Sequence, residues 1–138
     1  MEAPSHLSEL KILVVEDSED LTAVWRKLFK RAGISACFCN SGRAALSMIE
    51  GDFHPHILMT DYYLPDTTGL ELVSEVRKRS KEIDCLMVTG NRDDTFMEAV
   101  SRENVSVLLK PLRFPELLER LSTLSTRHRN THRDGWTH

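Results

Sequence analysis

Residues Ile57–Leu72 read ILMTDYYLPDTTGLEL, an apolar run followed by an acid, a loop and a helical pattern. Ile57–Thr60 is mostly apolar and of strand length, with no polar face. Runs of that kind are typical of parallel strands covered by helices on both sides. Asp61 stands directly behind the run. A short loop follows, and then Gly69–Arg79 places Leu72, Val73 and Val76 at helical spacing. The order is strand, acid, loop, helix.

The same unit recurs on both sides of this stretch. Four more strand-length runs are Lys11–Val15 (KILVV), Ile34–Cys39, Cys85–Thr89 and Val105–Leu109. Helical periodicity fills the intervals. Leu21, Val24, Trp25, Leu28, Phe29 and Ala32 form one apolar face, and Gly33 stands where a helix end favours glycine. Ser41 caps a helix Gly42–Glu50 with Ala45, Leu46 and Ile49 inward. Asp93–Arg102 carries Phe96, Met97, Ala99 and Val100 behind an acidic first turn. Pro115 suits the first turn of a last helix bearing Leu117, Leu118, Leu121 and Leu124. Five β-α units in alternation predict an α/β fold, a parallel sheet with helices on both faces and right-handed crossovers.

The 138 residues fit one domain. The predicted organisation is an N-terminal extension (1–10), the domain (11–126) and a basic tail (127–138) beyond the last apolar period. The tail holds three Arg and one Asp, a net of +2. The chain's −3 therefore leaves −5 on the body. An acidic body speaks against direct nucleic-acid binding, which draws on Lys and Arg. Cys37, Cys39 and Cys85 are odd in number and lack framework spacing, so reduced thiols in a cytoplasmic protein are expected, with Cys37 and Cys39 in buried packing. MEAPSHLSEL shows no signal-peptide pattern, and no apolar run approaches a membrane span.

Ligands of open α/β sheets bind beyond the carboxyl ends of the strands. There the sequence places Glu16 and Asp17 after the first strand, and Asp61 after the third. Thr89 and Gly90 end the fourth, and Lys110 and Pro111 follow the fifth. Three carboxylates so close repel unless a cation intervenes. A hard divalent ion answers this, Mg²⁺ being usual where phosphate is handled. Lys110 and Thr89 add an ammonium and a hydroxyl for phosphoryl oxygens, and a carboxylate can attack. His54 and His56 lie at the opposite sheet end, and no histidine is placed as a phosphodonor.

With ILVVEDSED, ILMTDYYLPDTTGLEL, LMVTGN and LLKP in this order and at these intervals, the chain resembles the receiver domain of two-component response regulators from Lys11 to about Ser125. The resemblance implies a flavodoxin-like (βα)5 sandwich with sheet order 2-1-3-4-5. It implies that Asp61 accepts a phosphoryl group from a histidine kinase or histidine phosphotransfer protein. It implies Mg²⁺ held by Asp17, Asp61 and the Tyr63 backbone carbonyl, with Glu16 acting directly or through water. Thr89 and Lys110 would contact the phosphoryl oxygens, Lys110–Pro111 would be a cis peptide, and Pro65 and Gly69 would shape the loop after Asp61. It implies a signalling domain rather than an enzyme, an output partner or effector domain, and no membrane association. It leaves homodimerisation open.

Two positions depart from the family's pattern or bear on its chemistry. Val107 stands three before Lys110, where the family often has an aromatic switch, so the usual aromatic readout is not expected. Tyr63, two after Asp61, is placed to shield an acyl phosphate or touch a partner. Asn91 faces it across the site, and Gly90 leaves room beside the acceptor. A haloacid-dehalogenase-like phosphatase would need an acid where Tyr63 stands. A P-loop is missing, and Glu16 and Asp17 would repel a flavin phosphate. A receiver-like interaction scaffold working without phosphorylation is the remaining alternative, and such scaffolds typically lose some of these residues.

Overall fold

The computed structural model describes residues 5–90 and 93–137. The strands are β1 Lys11–Val15, β2 Ser35–Cys39, β3 Ile57–Asp61, β4 Asp84–Thr89 and β5 Ser106–Leu109. The helices are α1 Glu19–Ala32, α2 Gly42–Glu50, α3 Gly69–Arg79, α4 Asp94–Arg102 and α5 Phe114–Thr137. All strands pair in parallel, in the order β2-β1-β3-β4-β5. The flavodoxin-like order is thus observed.

Alternation along the buried strands divides the core in two. Ile12, Val14, Ile57, Met59, Leu86 and Val88 face α1 and α5. Leu13, Val15, Leu58, Cys85 and Met87 face α2, α3 and α4. Each of the first four helices starts on a side-chain cap. Ser18 accepts from the Leu21 amide, Ser41 from Ala44, Thr68 from Glu71, and Asp93 from Thr95 and Phe96. α1 ends at Gly33 with φ +77°, a left-handed conformation that glycine adopts without a Cβ clash. The Ile34 amide bonds back to Phe29, which removes Ile34 from the predicted second strand.

Several expectations need correction. α1 does not bury its whole predicted face: Trp25 and Phe29 are buried, but Leu21 is exposed and Val24 is half exposed. Val24 lies about 100° around the helix from Trp25, beyond the strip that meets the sheet. Cys37 is exposed on edge strand β2, Cys39 is half-buried and Cys85 is buried, all as free thiols. Residues ahead of β1 form a short 3-10 helix, Ser5–Glu9, whose packing places Leu7 and Leu10 in the first core. The backbone of α5 remains helical to Thr137, past the end of its apolar period. Among the described residues no helix is long and apolar enough to cross a membrane.

Candidate functional site

The sheet order brings the C-terminal ends of β1, β3, β4 and β5 side by side. The Glu16 amide bonds to the Cys39 carbonyl, 3.0 Å away, which fixes the turn out of β1. The Glu16 side chain is turned in and buried, and its Oε2 accepts from the Ser18 amide at 3.0 Å. Burial pushes the Glu16 carboxyl above its ordinary range. The Ser18 N–H opposes this, the nearby Asp61 charge adds to it, and Lys110 offsets part. Asp17 is exposed beside it.

Asp61 is the last residue of β3. Its side chain is 13% exposed, and Lys110 Nζ lies 3.0 Å from Oδ1 and 3.1 Å from Oδ2. The lysine thus spans both carboxylate oxygens. The Tyr62 amide donates to Oδ1 at 3.2 Å. Oxygens of Glu16, Asp17 and Asp61 all lie within 4.8 Å of one another. At an effective dielectric near ~20, two full charges at such a distance repel by on the order of 3 kcal/mol. One lysine cannot balance three acids. An oxygen-only donor set of this size fits a hard divalent cation.

Lys110 leaves β5 with its amide bonded to the Thr89 carbonyl at 2.9 Å, and the Lys110–Pro111 peptide is cis. Thr89, buried, stands one residue beyond Val88, the register partner of Asp61. Acids, lysine and threonine therefore meet at one sheet end. A cavity of about 270 Å³ opens behind Asp61 and Lys110, walled by Val14, Trp25, Met59 and Leu112.

The two site glycines differ. A Cβ on Gly69 would collide with the Asp61 carbonyl oxygen and stand 3.2 Å from Tyr62 Cα. Gly69 thus lets α3 approach the end of β3, and its amide donates to the Tyr62 carbonyl at 2.6 Å. A Cβ on Gly90 would meet none of the other described residues within 4 Å. Tyr63 is 69% exposed, its ring edge-to-face with Tyr62 at 4.7 Å. Val107 is half-buried against the second core. Asn91 lies outside the described residues.

Two features escaped the sequence. Asp66 accepts from the amides of Gly42 and Arg43, each at 2.9 Å, tying the loop after Asp61 to the start of α2. Those N–H groups hold its carboxyl below the usual range. The partners are 23 and 24 residues away, so no local spacing announces the contact. The second is the packing of Tyr62 on Phe96 of α4, with ring centroids 4.8 Å apart.

A five-stranded sheet of this order, with acids beyond β1, an acid at the end of β3 and a lysine beyond β5, defines a receiver-type domain. The family model described as the response regulator receiver domain matches residues 12–122, and the chain belongs to that family. It is 29% identical over 115 residues to the transcriptional regulatory protein CitT of Halalkalibacterium halodurans, covering 80% of this chain and 50% of CitT. It is 28% identical over 108 residues to the two-component response regulator ORR3 of Oryza sativa subsp. indica, covering 76% of this chain and 82% of ORR3. The fold matches that of the Francisella response regulator 1452 receiver domain, with a TM-score of 0.79 at 21% identity over 87% of this chain and 99% of that one. The chain thus spans half the length of CitT.

Proposed function

We propose that this chain takes a phosphoryl group onto Asp61 from a phosphohistidine of a histidine kinase or histidine phosphotransfer protein, in the cytoplasm. The observation that carries this reading is the Lys110 ammonium spanning both oxygens of Asp61 inside a three-acid cluster. In the transfer, a carboxylate oxygen forms a bond to phosphorus as the P–N bond to the donor imidazole breaks. The electron pair stays with the imidazole nitrogen.

Glu16, Asp17, Asp61 and the Tyr63 backbone carbonyl are the groups assigned to Mg²⁺. The bound ion would offset the repulsion among the acids and the charge on the phosphoryl oxygens. Lys110 would follow that charge, moving from the carboxylate to a phosphoryl oxygen. The Thr89 hydroxyl would donate to another. Gly90 leaves the approach open, and the Tyr63 ring would limit water at the acyl phosphate. The chain acts as the signalling unit over 11–126 and does not turn over external phosphoesters. Its output passes to a partner or an attached effector domain rather than through direct nucleic-acid contact.

The test is incubation with Mg²⁺ and acetyl phosphate, followed by intact mass. The wild type gains one phosphoryl group and Asp61→Asn gains none. No gain in the wild type, or an equal gain in the variant, leaves only the phosphorylation-independent scaffold.

A further inference from the structure

We infer that Tyr62 couples the state of Asp61 to helix α4, its backbone amide reading the carboxylate and its ring holding the helix. The inference rests on Asp61 being the phosphoacceptor. The Tyr62 amide donates to Asp61 Oδ1 at 3.2 Å, and its carbonyl accepts from the first residue of α3. The Tyr62 backbone therefore sits between the acceptor and a helix start. Its ring meets Phe96 at 4.8 Å and 80°, an edge-to-face contact. Such contacts have a preferred geometry that small shifts degrade.

Helix α4 is suited to respond. Among its described side chains only Phe96 and Val100 are buried. Few buried contacts mean low local stability. Its C-terminal end is held separately: the Arg77 guanidinium of α3 donates to the carbonyls of Glu103 and Asn104, the latter at 2.8 Å. One end of α4 is thus pinned to α3, while the other rests on the Tyr62 ring. Val107 reaches the same core without a ring.

Phosphorylation turns the Asp61 carboxylate into a mixed anhydride, which removes the full charge from its carboxyl oxygens. The Tyr62 N–H then faces a neutral acceptor, and hydrogen bonds to neutral acceptors are weaker. Lys110 is drawn toward the phosphoryl oxygens at the same time. The Tyr62 peptide shifts, its ring leaves the geometry that seats Phe96, and the first turn of α4 swings about the Arg77 anchor.

The test is to phosphorylate wild type, Phe96→Leu, Tyr62→Leu and Tyr62→Phe with acetyl phosphate and Mg²⁺. Occupancy is read by intact mass, and the amide chemical-shift changes of residues 97–101 by NMR. Wild type and Tyr62→Phe are expected to show large α4 shift changes. Phe96→Leu is expected to reach the wild-type occupancy with shift changes reduced at least threefold. Tyr62→Leu, compared at matched occupancy, is expected to show the same reduction from the other side of the contact. Wild-type-sized α4 changes in phosphorylated Phe96→Leu overturn the coupling while leaving the phosphoacceptor reading intact. A phosphorylated wild type with unmoved α4 does the same. A wild type that takes up no phosphoryl group overturns both.

Discussion

Gly69→Ala and Gly90→Ala each add one methyl group at a glycine of the candidate site, with opposite expected effects. At Gly69 the new Cβ runs into the Asp61 carbonyl oxygen and presses on Tyr62 Cα and Met87 Cε, both at 3.2 Å. Two of the three neighbours are backbone and cannot turn away. Overpacking of this kind costs about 1–3 kcal/mol. The smaller conformational freedom of alanine in the unfolded chain returns about 0.4–1 kcal/mol. A net loss of about 1–2 kcal/mol is expected, or a Tm lower by roughly 3–8 °C for a domain of this size. At Gly90 a Cβ meets none of the other described residues within 4 Å, and its φ is not left-handed. Only the unfolded-state gain remains, and Tm should rise by roughly 1–3 °C. Thermal unfolding followed by far-UV circular dichroism measures both. Because the clash pushes Asp61 itself, Gly69→Ala should also slow phosphorylation by roughly tenfold. Equal Tm values for the two variants would refute the claim that close approach of α3 to β3 sets the position of Asp61.

Three further outcomes follow from particular contacts. Leu7→Ala should cost about 2–4 kcal/mol, measured by urea unfolding, because Leu7 is fully buried; a loss under about 0.5 kcal/mol would contradict its place in the core. Asp66→Ala should cost about 1 kcal/mol or less at pH 7, since Asp66 is exposed and Ser41 also caps α2. The folded-state pKa of Asp66 is depressed, so its contribution is present above the ordinary value of 3.8 and disappears as pH falls below it. The variant and wild-type stabilities should therefore converge in acid, and a gap that persists there would contradict the contact with the α2 amides. Mg²⁺ at ten times its Kd should stabilise the wild type by about 1.4 kcal/mol, or roughly 4–6 °C. Asp17→Asn should show less than half that shift at the same Mg²⁺ concentration, and an undiminished shift would remove Asp17 from the metal site.

The fold was legible because the strands are apolar on both faces, a pattern few other structures produce. Ile57–Thr60 and Cys85–Thr89 could be placed within a residue, and the acids and lysine behind the strands fell at one sheet end once the order was known. What escaped was everything fixed by tertiary contact alone. Leu7 and Leu10 sit in a single 3-10 turn, too short to display a period, yet they close one end of the core. Val24 fits the helical spacing of a buried face, but the sheet meets only the strip through Trp25 and Phe29. Cys37 alternates correctly with its neighbours, but it lies on edge strand β2 and is exposed. The expectation for Gly69 was a loop shaper, whereas its lack of a Cβ is what admits the Asp61 carbonyl. Asp66 and the Tyr62–Phe96 contact join residues 23–34 positions apart, beyond any local motif.

Chemical localisation of the phosphoryl group identifies the acceptor carboxylate. Borohydride reduces an aspartyl phosphate to homoserine, which peptide mass mapping can place on the chain. After acetyl phosphate and Mg²⁺, homoserine should replace Asp61 in the peptide containing ILMTDYYLPD, and nowhere else. Homoserine at position 17 or another acid, or a phosphoryl group that resists reduction, would contradict the assignment of Asp61 as the acceptor.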